Sequence, residues 1–215
     1  MLIDIHSPNF KPEVIPVEFV VIHYTGCSLT ETLRLFTSST VGTCAHFVID
    51  IGGATYDLGH FINGEIKRGA HAGESFLDVD GKRWEKFNFF SIGIELVNLN
   101  GNLFSYPDAQ IASLLKLLLH LGKRFASLRQ PERIVGHEHI AGYRGKVDPG
   151  QQFDWVSLYQ QLEMKIVERH PRLNANAIAR FEEKHGKIIP TNMTDAQWPA
   201  LSSELERFAA EELDR

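Results

Sequence analysis

Short apolar runs alternate with longer stripes of apolar residues at helical spacing through most of the chain. β-Branched and apolar residues dominate positions 17–23, 44–50 and 91–97, which have the length expected of buried strands. A glycine pair at 52–53 follows the second run and predicts a tight hairpin, because glycine readily adopts the positive φ that such turns need. A last run at 133–137 predicts a further short strand that ends in a histidine.

Helix signals lie between these runs. Ser28 begins a capping-box pattern that predicts a helix over 29–36. Pro107 suits the first position of a second helix. The apolar stripe of that helix consists of Ile111, Leu114, Leu115, Leu118, Leu121 and Phe125. Asp154 can cap a third helix that runs to about Arg169. Because helices alternate with strands, the pattern predicts an α/β fold with a central mixed β-sheet flanked by helices.

The pattern becomes purely helical near the C-terminus. Residues 174–185 and 201–213 carry apolar positions at helical spacing, with acidic residues on the opposite face of the second segment. We therefore predict a main domain over 1–170 and a helical C-terminal extension over 171–215. We expect the extension to pack on the main domain, since about 45 residues form only a marginal core when alone.

Residues 74–88 lose this periodicity and mix polar with aromatic side chains. A long irregular segment inside a compact domain is more often functional than decorative. We expect this segment to line a cleft, where Trp84 and Asn88 either contact a ligand or pack the loop.

Composition limits the class of protein and of partner. Hydrophobic residues make up 43% of the chain and aromatic residues 10%, which is typical of a globular protein. The net charge of -5 argues against nucleic acid as the main ligand. Neither a signal-peptide pattern nor an apolar run of membrane-spanning length is seen. We expect a soluble cytoplasmic protein without a membrane partner, in which Cys27 and Cys44 are buried free thiols and not a disulfide.

The densest set of chemically active residues lies in the segment GHEHIAGYRGKVDPGQQFDW, residues 136–155. We predict that this segment is a loop between a strand and a helix. It contains His137, Lys146 and Asp148, while His23 ends a different apolar run. Imidazole and carboxylate groups from separate elements are the ligands of a catalytic zinc, which keeps a fourth position for water. The sequence therefore suggests a zinc hydrolase.

His139 competes with His137 as the ligand from this segment. The two histidines are two residues apart, so in an extended segment they face the same way. A lone histidine at the end of a strand is usually structural, and the pattern of several such groups is what favours a ligand role. We favour His137.

Five segments resemble a known family: VVIHYT, AHFVID, GAHAGES, NFFSIGIELVN and the block over 136–155. Together they are similar to the zinc-dependent N-acetylmuramoyl-L-alanine amidases, the AmpD-like group that shares its fold with peptidoglycan recognition proteins. The resemblance covers about 17–160 and excludes the C-terminal extension. It implies that domain 1–170 is a zinc amidase catalytic domain and that its substrates are peptidoglycan fragments or muropeptides.

The resemblance also implies roles for single residues. Zinc would be held by His23, His137 and Asp148, with Glu95 and Lys146 as catalytic residues. Glu95 stands inside an apolar strand, where a buried glutamate without a partner costs several kcal/mol as an ion. We therefore expect Glu95 to be paired, neutral or part of a functional site.

Some positions depart from the family pattern. Ala45 stands where some relatives carry a catalytic tyrosine, which leaves the general-base role to Glu95. The loop is about one residue longer near Tyr143, so the ligand geometry requires the loop to bulge there. His46 and His71 lie in matching segments without being family ligands. We interpret them either as wall or substrate-contact residues or as structural histidines whose ring nitrogens bond within the fold.

Two alternatives remain at this point. A non-catalytic peptidoglycan-binding module can share this fold, although such proteins commonly lack one or more metal ligands. A phage lysin or an exported wall-degrading effector can share the catalytic core. The oligomeric state is left open by the sequence.

Overall fold

A computed structural model describes residues 1–188 and 193–213 of the chain. Its strands are β1 (Leu2–Asp4), β2 (Phe19–Tyr24), β3 (Phe47–Ile49), β4 (Thr55–Asp57), β5 (Phe76–Val79), β6 (Lys82–Glu85), β7 (Ser91–Leu96) and β8 (Ile134–Gly136). Six of them form a central sheet in the order β1-β4-β3-β7-β2-β8, and β5 pairs with β6 in a separate hairpin. Within the central sheet β3 and β4 are antiparallel and the other neighbours are parallel. The sheet is therefore mixed, as predicted.

The helices flank this sheet and continue beyond it. They are α1 (Leu29–Thr37), α2 (Asp108–Arg124), α3 (His137–Ala141), α4 (Trp155–Gln161), α5 (Ala175–His185) and α6 (Trp198–Glu211). The side chains of Ser28 and Asp154 accept hydrogen bonds from the first turns of α1 and α4, which satisfies backbone donors that otherwise lack partners. The predicted α/β class is confirmed.

The interior of the sheet explains the continuous apolar runs of the sequence. Strands β2 and β7 lie between other strands, and the residues from Phe19 to Ile22 are fully buried. Helix α2 covers this region with Leu114, Leu118 and Leu121. Parallel strands buried on both faces show such runs in place of alternation. Because β2, β7 and β8 are parallel, their carboxyl ends meet at one edge of the sheet, where ligands bind in open α/β sheets.

Residues 74–88 are not irregular, contrary to the sequence prediction. They contain the hairpin β5–β6, in which Asp80 and Gly81 both have positive φ, at 55° and 71°. An Asp-Gly pair with two positive φ values is the preferred turn of a two-residue hairpin, since its twist matches that of the strands. The Asp-Gly turn signal is present in the sequence, but the polar residues of the flanking strands leave no clear apolar alternation.

One predicted helix and one predicted loop differ from the structure. Helix α4 ends at Gln161 and not near Arg169, because Glu163 takes a left-handed φ of 55° and the chain leaves the helical path. The segment after β8 is not a plain loop, because it begins with the short helix α3. This helix changes the direction of the side chains that follow His137.

The C-terminal helices pack on the main domain through a hydrophobic cluster of their own. Trp198, Leu205 and Phe181 are buried there against Val147 and Tyr24. Residues 189–192 and 214–215 of the predicted extension lie outside the described residues. The division of the chain at residue 170 stays a prediction.

Both cysteines are buried free thiols, as the sequence analysis favoured. No helix within 1–188 or 193–213 is long and apolar enough to cross a bilayer.

Candidate active site

Three side chains from separate elements meet at the carboxyl edge of the sheet. His23 comes from the end of β2, His137 is the first residue of α3, and Asp148 follows in the loop before α4. The Asp148 Oδ2 atom lies 2.8 Å from His23 Nδ1 and 3.1 Å from His137 Nδ1. One potential ligand atom from each residue lies within 4.8 Å of the other two, and all three residues are buried. This donor set can hold a metal ion.

Backbone hydrogen bonds hold the Asp148 loop over α3. The Glu138 N–H donates to the Asp148 carbonyl at 2.8 Å. At the preceding residue, the side-chain amide of Asn102 donates to the Val147 carbonyl at 3.0 Å. Because the backbone of the loop is bonded on both sides of the aspartate, its carboxylate is directed toward the two histidines.

The outer nitrogens of the two histidines also have partners. His23 Nε2 lies 3.1 Å from His71 Nδ1, and His137 Nε2 lies 3.1 Å from the Ala72 carbonyl oxygen. His71, which the sequence predicts either as a wall or substrate contact or as a structural histidine, lies against the outer nitrogen of His23. Asn88 was a candidate ligand contact, and its Oδ1 instead accepts hydrogen bonds from the N–H groups of residues 71 and 72.

The electrostatics of the cluster favour the protonation states that bind metals. Burial lowers the pKa of His23 to about 4, against the opposing hydrogen bond with Asp148. Burial acts to raise the pKa of the Asp148 carboxyl, but the charge of His137 and hydrogen bonds with both histidines hold it well below its usual range. A neutral imidazole and an ionised carboxylate are the forms that coordinate a metal ion.

Glu95 lies beside the cluster, because β7 pairs with β2 and places Glu95 opposite His23 in register. Its Oε2 atom is buried and has no hydrogen-bond partner among the residues that the structure describes. Burial and the nearby charge of Asp148 raise the pKa of Glu95 to about 8, and Lys146 opposes the shift. A carboxyl group with a perturbed pKa and an unused oxygen is suited to accept and return a proton.

Lys146 lies two residues before Asp148, on the side of the site that faces the C-terminal helices. Its Nζ atom is 2.7 Å from Glu206 Oε1 on α6, and both side chains are partly exposed. A Cβ atom at Gly145 would collide with the Glu206 backbone carbonyl, so the loop and α6 are in close contact. The sequence analysis missed Glu206, which lies outside the resemblance and 60 residues from Lys146.

His139 does not belong to the cluster. Its Nδ1 accepts a hydrogen bond from the Gly136 N–H at 2.8 Å, and its ring packs on Trp155. The expectation of an extended segment was wrong, because residues two apart on a helix do not share a face. Helix α3 therefore directs His137 and His139 to different sides.

The side chains of His46 and Trp84 make contacts within the fold. His46 is fully buried, with its Nδ1 accepting from the Gly93 N–H at 3.0 Å and its Nε2 donating to the Lys67 carbonyl at 2.8 Å. Of the two interpretations of His46, the structural one is supported, since both of its nitrogens bond to backbone groups. The Trp84 ring packs edge-on against Phe19, which supports the packing interpretation of that residue.

Comparison with known proteins identifies the family. A family model described as N-acetylmuramoyl-L-alanine amidase matches residues 13–151. The chain belongs to this amidase family. The match contains the three cluster residues together with Glu95 and Lys146, and it ends before α4 and the C-terminal helices.

Individual relatives agree with this assignment. The 1,6-anhydro-N-acetylmuramyl-L-alanine amidase AmpD of Haemophilus influenzae is 40% identical over 111 residues, which are 52% of this chain and 54% of that protein. The match thus spans about half the length of that relative. A crystal structure of a selenomethionine AmpD derivative is 27% identical with a TM-score of 0.62, over 74% of this chain and 93% of that one.

A second structure supports the fold alone. It is the E. coli amidase AmiD in complex with the substrate anhydro-N-acetylmuramic acid-L-Ala-D-γ-Glu-L-Lys. AmiD is 23% identical to this chain, with a TM-score of 0.58 over 86% of this chain and 77% of that one.

Proposed function

We propose that the chain is a zinc-dependent amidase that hydrolyses the bond between the lactyl group of N-acetylmuramic acid and L-alanine in peptidoglycan fragments. The observation that carries this proposal is the buried cluster of His23, His137 and Asp148 with the unpartnered carboxyl oxygen of Glu95 beside it. Membership of the amidase family supports the choice of bond. The name of the AmpD relative from Haemophilus influenzae supports anhydromuramyl peptides as the substrate class.

The residues present fit a catalytic zinc ion. Two imidazoles and one carboxylate are a common set of three protein ligands, which leaves a fourth position open. We propose that His23 and His137 bind through the Nδ1 atoms that face Asp148. A bound zinc ion supplies Lewis-acid chemistry: it polarises the amide carbonyl and lowers the pKa of the attacking water.

Glu95 is proposed as the general base and then the general acid. Its Oε2 accepts a proton from the attacking water and passes that proton to the nitrogen of L-alanine as the carbon–nitrogen bond breaks. Proton transfer by a positioned side chain typically contributes 10²–10⁴-fold to the rate. Burial of Glu95, which raises its pKa to about 8, helps the carboxyl to hold the proton between these two steps.

Lys146 is proposed to stabilise the oxyanion that forms on the carbonyl oxygen. The ammonium group is a cationic hydrogen-bond donor, and one such donor is typically worth a few kcal/mol in the transition state. The ion pair with Glu206 holds the Lys146 side chain at the edge of the site. The partial exposure of this pair leaves the lysine accessible to a substrate.

The experiment that tests the proposal offers two substrates to the zinc-loaded protein. Intact sacculi and soluble anhydromuramyl peptides are incubated separately, and mass spectrometry detects release of peptides that begin with L-alanine. Cleavage of soluble fragments alone supports a recycling amidase, and efficient cleavage of sacculi supports a lysin or an exported effector. If zinc binds and neither substrate is cut, a non-catalytic recognition module replaces the proposed enzyme.

A further inference from the structure

The outer nitrogens of the two histidines proposed as ligands contact the same dipeptide, His71–Ala72. His23 Nε2 is 3.1 Å from the side chain of His71, and His137 Nε2 is 3.1 Å from the carbonyl oxygen of Ala72. Two ligands that are 114 positions apart in the sequence thus meet two adjacent residues of the GAHAGES segment. This segment lies before the hairpin β5–β6 and far from either ligand along the chain.

The hydrogen-bond roles along these contacts are mutually consistent. The Ala72 carbonyl can only accept, so His137 must donate to it from Nε2, which leaves Nδ1 unprotonated and facing Asp148. If His23 takes the same tautomer, its Nε2–H donates to His71 Nδ1. His71 then carries its own proton on Nε2, which lies 3.4 Å from the Ser91 carbonyl oxygen. Each nitrogen on the outer side of the cluster then has a partner of the matching kind. The two Nδ1 lone pairs face the Asp148 carboxylate, which is itself an acceptor, so in this tautomer they are available to a cation held between the three side chains.

The 71–72 dipeptide is itself held firmly. Asn88 Oδ1 accepts from the His71 N–H at 3.1 Å and from the Ala72 N–H at 2.8 Å. Arg144 donates to the Ala72 carbonyl at 3.0 Å. These bonds hold the dipeptide from two directions, because Asn88 lies in the turn before β7 and Arg144 in the turn after α3.

Gly93 in β7 leaves space for the His71 ring. A Cβ atom at position 93 would lie 2.5 Å from the Cγ atom of His71, and such a contact is too short for real atoms. The glycine in the middle of this buried strand is thus required by the approach of the ring. The segment SIGIE therefore contains both Glu95 and the glycine that makes room for the His71 ring beside His23.

We propose that the His71–Ala72 dipeptide, held by Asn88, is the positioning element of the metal site and sets the Nδ1-ligating tautomer of both histidines. The inference rests on the proposed function, because it takes His23 and His137 as zinc ligands. Partners that bond the outer nitrogen of a ligating histidine orient the ring and raise its basicity. Loss of such a partner typically weakens metal binding by 10–100-fold.

The test compares His71→Leu with His71→Asn. Leucine fills similar space without an acceptor, whereas the Oδ1 atom of asparagine takes nearly the place of His71 Nδ1. Zinc affinity is measured by competition with a chromophoric chelator, and the absorption spectrum of the cobalt(II)-substituted protein reports the ligand geometry. We expect His71→Leu to bind zinc about 10–100-fold more weakly with an altered cobalt spectrum. His71→Asn should retain the wild-type spectrum and most of the affinity.

His120→Leu is the matched control. His120 is also partly buried and donates from Nε2 to the Ile62 carbonyl at 2.8 Å, but it lies on α2 outside the site. Its loss should leave zinc affinity and the cobalt spectrum unchanged. Should His71→Leu fail to fold, His71→Gln takes its place. The side-chain amide of glutamine lies one bond farther from the backbone than that of asparagine, so its oxygen does not coincide with His71 Nδ1, and the same loss of zinc affinity is expected.

The outcomes separate this inference from the proposed function. A folded His71→Leu protein with wild-type zinc affinity and spectrum overturns the inference and leaves the amidase proposal standing. Equal losses in His71→Leu and His71→Asn overturn it as well, since the acceptor atom then has no role. A wild-type protein that binds no zinc overturns both.

Discussion

The two sides of the candidate site differ in how completely their polar atoms are paired. On the side of His23, His137 and Asp148, the outer nitrogen of each ring has a hydrogen-bond partner and both Nδ1 atoms lie within 3.1 Å of the Asp148 carboxylate. On the other side, Glu95 Oε2 has no partner within the described part of the chain, and Lys146 holds a partly exposed ion pair with a helix outside the family match.

This difference matches the chemistry that each side is proposed to perform. Groups that hold a metal ion must keep one orientation and one protonation state, and hydrogen bonds to the outer nitrogens of the two rings supply both. A group that transfers protons needs an unused lone pair, although a buried polar atom without a partner costs about 1–3 kcal/mol. Folds retain such local violations mainly at functional sites.

The largest expected effect comes from breaking the paired side. Asp148→Ala removes the carboxylate that both Nδ1 atoms face, so we expect loss of stoichiometric zinc and of all measurable turnover. Elemental analysis and the soluble-substrate assay check this. Asp78→Ala, in the exposed hairpin ion pair with Arg83, serves as the control and should behave as wild type. Normal zinc content in Asp148→Ala would contradict the ligand assignment.

Glu95→Gln tests the unpaired side without changing its shape. The amide cannot accept the proton, so turnover should fall by about 10²–10⁴-fold while zinc content stays at the wild-type level. Steady-state kinetics and metal analysis of the same preparation measure both quantities. Turnover close to that of the wild type would remove Glu95 from the mechanism.

Lys146→Met should have the next largest effect. Methionine keeps a long side chain but supplies no charge, and loss of one oxyanion donor typically lowers kcat by about 10²–10³-fold. Zinc should remain bound, because Lys146 is not a ligand. Lys116→Met on α2 is the matched control, and the assignment fails if the two variants have the same kcat.

Glu206→Gln should have the smallest effect. It replaces the ion pair with a neutral contact, and partly exposed pairs contribute so little that kcat should change by no more than about fivefold. Added salt should narrow the difference in kcat from the wild type, since screening weakens the Lys146–Glu206 ion pair that only the wild type has. A loss as large as that of Lys146→Met would instead make α6 an essential part of the catalytic apparatus.

Local pattern was sufficient to predict most of the secondary structure. Helix caps at Ser28 and Asp154 and the buried strands at 19–24 and 91–96 follow from short-range chemistry, so they agree with the prediction. The end of α4 does not agree with the prediction. The apolar pattern continues toward Arg169, but the left-handed φ of Glu163 turns the chain away from the helix after Gln161. The hairpin around Asp80 was missed because its strands lie on the surface and lack a clear apolar alternation.

The sequence by itself determined the α/β class, the family resemblance and the identity of the residues proposed for catalysis, because these depend on residue types in a linear order. Only the tertiary structure decided which of them meet. Helix α3 directs His139 away from the cluster, and the parallel pairing of β2 with β7 sets Glu95 opposite His23. His71 and Glu206 acquire their contacts from elements distant in the chain. Such contacts depend on register and helix direction, which no short stretch of sequence encodes.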